Sequence, residues 1–370
     1  MLKRFAVPFV LAAAVLSVRP IAAADDLLIG VGAPLSGQFS VFGKQIRDGA
    51  RQAVKEINSA GGLFDRKLKL KFADTACSKD KAEAIANQMV GSGVAAVIGH
   101  FCSRSSILAA PVYRKANIVM ISPASPNAKF TAERPDPKGG TYRVGYRADE
   151  LWLTTIRFLE TSYKGKRIAT IHDNSAYGKE YVEKVRAEFD RIGVREVLRD
   201  EFKPSQTEYR ALVSKIEASA VDVILIGGFH VDVATMVREI KKRHMPAAVL
   251  TGDASYSYEM IGLLGDDTGE VYVVAPKDPY FAKTAEGTLE RLKAARVQPS
   301  GYFLNAYEAV RIWYAAALRA ESVAYDAVVE SLNTRLFRTA FGDIRFDGQG
   351  NWSWQGFTVY RIKSGEFIAY

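Results

Sequence analysis

The sequence predicts an α/β fold of two doubly wound parallel-sheet lobes. Short β-branched runs alternate with amphipathic segments along most of the chain, a pattern that lays parallel strands beneath helices on both faces. The alternation runs twice, with the turn-rich stretch Pro135-Asp136-Pro137-Lys138-Gly139-Gly140 between the two series. The 370 residues exceed what one core of ordinary size serves, so two domains are expected.

In the first series residues 27–33 read as a strand. Residues 44–59 read as a helix, because Ile46, Ala50, Ala53, Val54 and Ile57 recur at helical spacing until Gly61-Gly62 stops them. Residues 67–73 alternate apolar and polar, as an edge strand does. Helix 79–92, buried strand 95–99, helix 105–116 (broken or started by Pro111) and strand 118–122 follow. The second series runs from 141–146 into helix 150–162, strand 167–172, helix 178–192, strand 196–202, helix 207–218, strand 221–227, helix 231–243, and strands 248–251 and 271–275. The tail differs: 284–295, 301–320 and 325–332 read as helices. A turn-rich stretch at 346–351 and two strands, 356–362 and 366–369, close the chain. That helical block packs most economically back onto the first domain.

The first 24 residues read as a cleaved secretory leader. Lys3 and Arg4 precede an apolar run over 5–18, Arg19-Pro20 interrupts it, and Ala22-Ala23-Ala24 offers a small-residue cleavage site. The run is too short to span a bilayer comfortably. The expected location is therefore periplasmic. The formal charge of +9 is scattered, with no basic tail or stripe, which argues against a nucleic-acid footprint. The two cysteines, Cys77 and Cys102, favour a disulfide in an exported chain, with two free buried thiols as the alternative.

Open α/β sheets bind ligands beyond the carboxyl ends of their strands. The strand-end loops are 33–37, 100–103, 123–126, 172–178, 227–230 and 251–253, and they are rich in Ser, Gly and aromatic residues. Serine hydroxyls and helix N-termini receive carboxylates, aromatic faces wall an apolar group or meet a cation, and Asp253 supplies a negative charge. The set complements a zwitterion. Each residue also has a plain reading: Ser103 as a helix cap, Tyr177 as a surface aromatic, Asp253 as a turn residue. His100, His172, His230 and His244 lie far apart without metal spacing, and no cofactor is expected. Gly30-Val31-Gly32 lacks the third glycine of the dinucleotide fingerprint, and carboxylate pairs such as Asp266-Asp267 sit in turns. No phosphate loop or nucleophile elbow is present, so the chain reads as a binding protein and not an enzyme.

Several passages resemble, in order, the periplasmic leucine/isoleucine/valine-binding proteins of ABC transporters. They are Gly32-Ala33-Pro34-Leu35-Ser36-Gly37 through Gly49-Ala50-Arg51-Gln52-Ala53, Ile57-Asn58-Ser59-Ala60-Gly61-Gly62, Val97-Ile98-Gly99-His100-Phe101-Cys102-Ser103, Ile121-Ser122-Pro123-Ala124-Ser125 and Ile171-His172-Asp173-Asn174-Ser175-Ala176-Tyr177-Gly178. The resemblance implies a type I periplasmic binding fold, two lobes joined by a three-segment hinge and closing on a ligand. Residues 25–143 with 277–355 would form the first lobe, and 144–276 with 356–370 the second. It implies a Cys77–Cys102 disulfide and a ligand set of Phe42, Ser103, Ala124, Ser125 and Pro126 facing Tyr177, Phe229 and Asp253. Ser103 and nearby main chain would hold an α-carboxylate, and Asp253 an α-ammonium. A family member has threonine where Pro126 stands, tyrosine for Phe229 and glutamate for Asp253. Arg104 stands where a small residue is usual, either solvated or reaching an extra acid on the ligand. The implied role is capture of an amino acid by a monomer for an inner-membrane permease. An amide or aromatic carboxylate ligand, and a sensory ligand-binding module, are the alternatives.

Overall fold

The computed structural model describes residues 25–132, 134, 139–265, 269–278, 280, 282–352 and 356–370. The leader, loop positions 135–138 and the Asp266-Asp267 pair lie outside them.

The first series forms β1 (Leu27–Ala33), α1 (Ser40–Ser59), β2 (Leu68–Asp74), α2 (Lys79–Gly91), β3 (Ala96–Gly99), α3 (Ser103–Lys115), β4 (Val119–Ser122), α4 (Lys129–Ala132) and β5 (Thr141–Arg143). Its five strands pair in the order β2-β1-β3-β4-β5, all parallel. The order reverses between β1 and β3, which opens a crevice at their carboxyl ends.

The second series forms α5 (Ala148–Ser162), β6 (Arg167–His172), α6 (Ala176–Arg186), α7 (Phe189–Ile192), β7 (Arg195–Glu201), α8 (Arg210–Ala218), β8 (Val223–Gly227), α9 (His230–Lys242), β9 (Ala248–Thr251), α10 (Tyr258–Leu264) and β10 (Val271–Pro276). The tail supplies α11 (Glu286–Ala294), α12 (Phe303–Arg319), α13 (Tyr325–Thr334), the small hairpin β11 (Phe337–Thr339) and β12 (Gly342–Ile344), then β13 (Phe357–Lys363) and β14 (Glu366–Ala369). The second sheet has the order β14-β13-β10-β9-β8-β6-β7. It is parallel from β10 to β7, with β13 and β14 antiparallel at its edge. Its order reverses between β6 and β8. Ser364 and Gly365 both take positive φ, 52° and 76°, in the two-residue turn that reverses β13 into β14.

Strands β3, β4, β8 and β9 are buried along their whole length, as expected of parallel strands covered on both faces. The tail helix α12 lies on α1 so closely that a Cβ on Gly49 would stand 2.1 Å from the Phe303 carbonyl oxygen. The Tyr307 hydroxyl donates to Glu56 at 2.6 Å across the same seam.

Three sequence readings change. Helix α1 begins at Ser40, four residues before the predicted start, and takes in Phe42. Gly43 hides that start, yet the fold needs glycine there: a Cβ would stand 1.8 Å from the Pro34 carbonyl oxygen. Helix α3 runs unbroken through Pro111. The proline costs one backbone hydrogen bond, and burial of Ala109, Ala110 and Tyr113 around it holds the helix. The single helix predicted over 178–192 is two, α6 and α7, parted at Ala187-Glu188.

Candidate functional site

The carboxyl ends of β1, β3 and β4 face those of β6, β8 and β9, and the loops between them meet. Asp253 follows β9 and Gly252, opening a short 3-10 turn, and is only 5% exposed. Its carboxylate is held by two tyrosines. Tyr177, at the start of α6, donates to Oδ1 at 2.9 Å. Tyr302, immediately before α12, donates to Oδ2 at 3.1 Å. The Tyr177 hydroxyl also accepts from the Ala254 N–H at 3.3 Å. Gly252 makes this possible, since a Cβ there would stand 2.3 Å from the Tyr177 hydroxyl. Burial pushes the Asp253 carboxyl up to about 7, opposed by the hydrogen bond from Tyr302. Among the described residues no cationic side chain offsets that burial.

Aromatic rings enclose this acid. Phe42 stacks on Phe101 with centroids 4.9 Å apart, and Tyr302 stands edge-on to both, at 5.7 Å and 5.0 Å. From the second sheet, Phe229 lies 5.5 Å from Tyr177 and 4.5 Å from Phe39. His230 meets the Phe42 ring edge-on at 5.1 Å. Tyr177 is buried, not a surface aromatic. The two sheets therefore touch through rings and also through polar groups: the Asn127 side-chain amide donates to the Ala176 carbonyl at 2.8 Å.

Ser103 is the first residue of the 13-residue helix α3, whose N-terminus opens beside Cys102. Its Oγ accepts from the Asn127 N–H at 3.5 Å, which leaves its own proton for another acceptor. Ser125 is placed differently. Its hydroxyl lies against Ser106 and against the carbonyl oxygens of His100 and Phe101, at 3.1 Å and 3.0 Å. One hydroxyl proton serves that internal network, which braces the loop after β3. Ala124 and Pro126 are buried beside it, and the Pro126 carbonyl accepts from Ala148 at 3.0 Å. Arg104 is exposed on the first turn of α3. Cys77 and Cys102 form a disulfide with Cα atoms 5.5 Å apart, tying the loop after β2 to the start of α3.

Sequence reasoning missed Tyr302. It follows Gly301 at the head of a long helical run, and no local pattern places that head at the cleft. Phe101 stood in a strand-end loop without being singled out, and His230 was read only as a strand-end histidine without metal spacing. His100 serves the interior instead, 3.0 Å from the Tyr113 hydroxyl and wholly buried, which holds its imidazole down at about 4. Among the described residues no cluster of His, Cys, Asp and Glu could hold a metal, and no helix is long and apolar enough to cross a membrane.

Residues 27–366 match the sequence profile of the periplasmic binding protein family. The chain belongs to that family. An amino acid binding protein of Pseudomonas aeruginosa is 33% identical over 356 residues, 95% of this chain and 94% of its own. A leucine-binding protein of Thermotoga maritima superposes with a TM-score of 0.83 at 22% identity, covering 93% of this chain and 97% of its own. A branched-chain amino acid binding protein of Streptococcus pneumoniae, solved with isoleucine, superposes with a TM-score of 0.79 at 20% identity over 93% of this chain and 99% of its own. The two structures share the type I fold. The family is one of solute-binding proteins, not of enzymes.

Proposed function

We propose that the chain is the substrate-binding component of an ABC importer. It captures an amino acid between its lobes outside the inner membrane and presents the closed form to a permease. The observation that carries this reading is Asp253. A buried carboxylate is costly unless a cation or strong donors meet it. Two tyrosines supply donors here, and an α-ammonium would supply the charge. The other end of a zwitterion finds the Ser103 hydroxyl and the N-terminus of α3, whose N–H groups and dipole favour a carboxylate. The aromatic rings would exclude water from both charged ends of the ligand and so strengthen their interactions. Lobes hinged at the crossovers would open for entry and close on the bound solute. Kinship with an amino acid binding protein of Pseudomonas aeruginosa supports the ligand class.

The test is a thermal-shift screen of refolded, ligand-free protein against amino acids, amides and aromatic acids. A ligand that binds only the folded state adds about 2.7 kcal/mol at a hundred times its dissociation constant. Stabilisation by amino acids supports the reading. Stabilisation by acids lacking an amine, and by nothing else, overturns the assignment of Asp253.

A further inference from the structure

We infer that Asn127 is a positioning residue that couples amino acid capture to closure of the cleft, its side-chain amide clasping the loops of the second sheet to those of the first; this rests on the amino acid reading above. Asn127 follows Pro126 and is only 5% exposed. Its backbone N–H donates to Ser103 Oγ at 3.5 Å, on the side of the site assigned to a carboxylate. Its Nδ2 donates to the carbonyl of Ala176, the first residue of α6, at 2.8 Å. The next residue, Tyr177, donates to Asp253 Oδ1 at 2.9 Å. One residue thus links the group assigned to the carboxylate end of an amino acid with the element that holds the group assigned to its ammonium end.

The amide is held so that its donor end makes the crossing. Oδ1 accepts from the Lys129 N–H at 2.9 Å, which turns Nδ2 to the Ala176 carbonyl. The Asn127 carbonyl accepts from the Phe130 N–H at 3.2 Å and from Arg143 Nη2 at 3.1 Å. Arg143 ends β5, where the chain leaves the first sheet, and is wholly buried. The same Nη2 donates to Thr131 Oγ1 at 3.0 Å, and Thr131 donates to Asn351 Oδ1 at 2.9 Å. The turn carrying Asn127 is therefore fixed to the first sheet and to the tail, while its amide reaches the second sheet. The bond to Ala176 exists only where the loops of both sheets meet. An amino acid bridging Ser103 and Asp253 draws the same loops together, so solute and clasp favour one state. A bond completed after both halves of the site have met acts on release, not on encounter.

The experiment is stopped-flow fluorescence on wild type, Asn127→Asp and Asn127→Ala, using the amino acid that stabilises wild type most in the thermal screen. Asp keeps the acceptor for Lys129 and removes the donor to Ala176; Ala removes both. Circular dichroism checks that each variant folds, and either one suffices. Dissociation is expected to speed up by roughly tenfold, the scale of one lost hydrogen bond, while association stays within about twofold of wild type. A merely structural role would lower the stability of the ligand-free protein and leave the dissociation rate alone. An unchanged dissociation rate, or a loss of affinity carried by slower association, overturns the inference while leaving amino acid binding intact. Failure of every amino acid to bind wild type overturns the amino acid reading and this inference with it.

Discussion

The hydroxyl of Tyr302 donates to Oδ2 of Asp253 at 3.1 Å, joining the head of α12 to the end of β9. With the Tyr177 bond to Oδ1, it holds both oxygens of a carboxylate that has almost no contact with solvent. Most of the consequences that can be tested follow from this arrangement.

Replacing Asp253 by Asn should abolish amino acid binding and stabilise the ligand-free protein. The folded-state pKa, about 7, is above the ordinary 3.8 because of burial. The folded state thus holds the proton more tightly than the unfolded chain. Stability from this group is complete below the unfolded value and is lost as pH rises through the folded one. Asparagine keeps an acceptor and has nothing to ionise. Its advantage in urea unfolding should grow from pH 4 to pH 7 and level off above, reaching at most about 4 kcal/mol at 1.36 kcal/mol per unit. An Asn variant no more stable than wild type at pH 8 would contradict the buried, uncompensated charge.

Affinity for an amino acid should fall as pH drops below 7. Only the ionised carboxylate pairs with an ammonium, and the free site protonates near that value. Calorimetry from pH 8 to pH 5 is expected to show weakening that approaches about tenfold per unit, with protons released on binding. A flat profile would mean that Asp253 does not meet the ligand's charge.

Tyr177→Phe should weaken binding and destabilise the fold together. The hydroxyl donates to Asp253 and accepts from the Ala254 N–H. Its loss leaves a buried N–H unpaired, a cost of about 1–3 kcal/mol. A melting temperature unchanged from wild type would show that the Ala254 contact is not maintained.

Replacing Cys77 and Cys102 by Ser should lower stability by roughly 3 kcal/mol, the loop-entropy expectation for closing a loop of 25 residues. Chemical denaturation of the double variant checks this, and reduction of wild type should reproduce the loss. An unaltered midpoint would mean that the bond constrains nothing the fold does not already fix.

Much of the fold was legible in the sequence because parallel strands buried on both faces read as unbroken apolar runs, such as Ala96–Gly99 and Val223–Gly227. The strand ends then pointed to the cleft, and Asp253, Tyr177 and Phe229 come together there. Where local signals conflict with close approach, the sequence misleads. The helix reads from residue 44, and Gly43 just before it is the residue that lets α1 pass the Pro34 carbonyl. Ser125 belongs to the ligand set that the resemblance implies, and its hydroxyl is turned to the His100 and Phe101 carbonyls. Tyr302 was illegible because its place depends on how α12 docks against α1, a long-range packing that no window of sequence contains.

The most direct test of the account compares one amino acid with its counterpart lacking the amine. Ligand-free protein is titrated at pH 8, where Asp253 is ionised, with the amino acid that stabilises it most in the thermal screen and with the same acid lacking the amine. The account predicts measurable binding of the amino acid and none of the acid without its amine, with the signal lost in Asp253→Asn. Equal binding of the two, or amino acid binding that survives in Asp253→Asn, would contradict it.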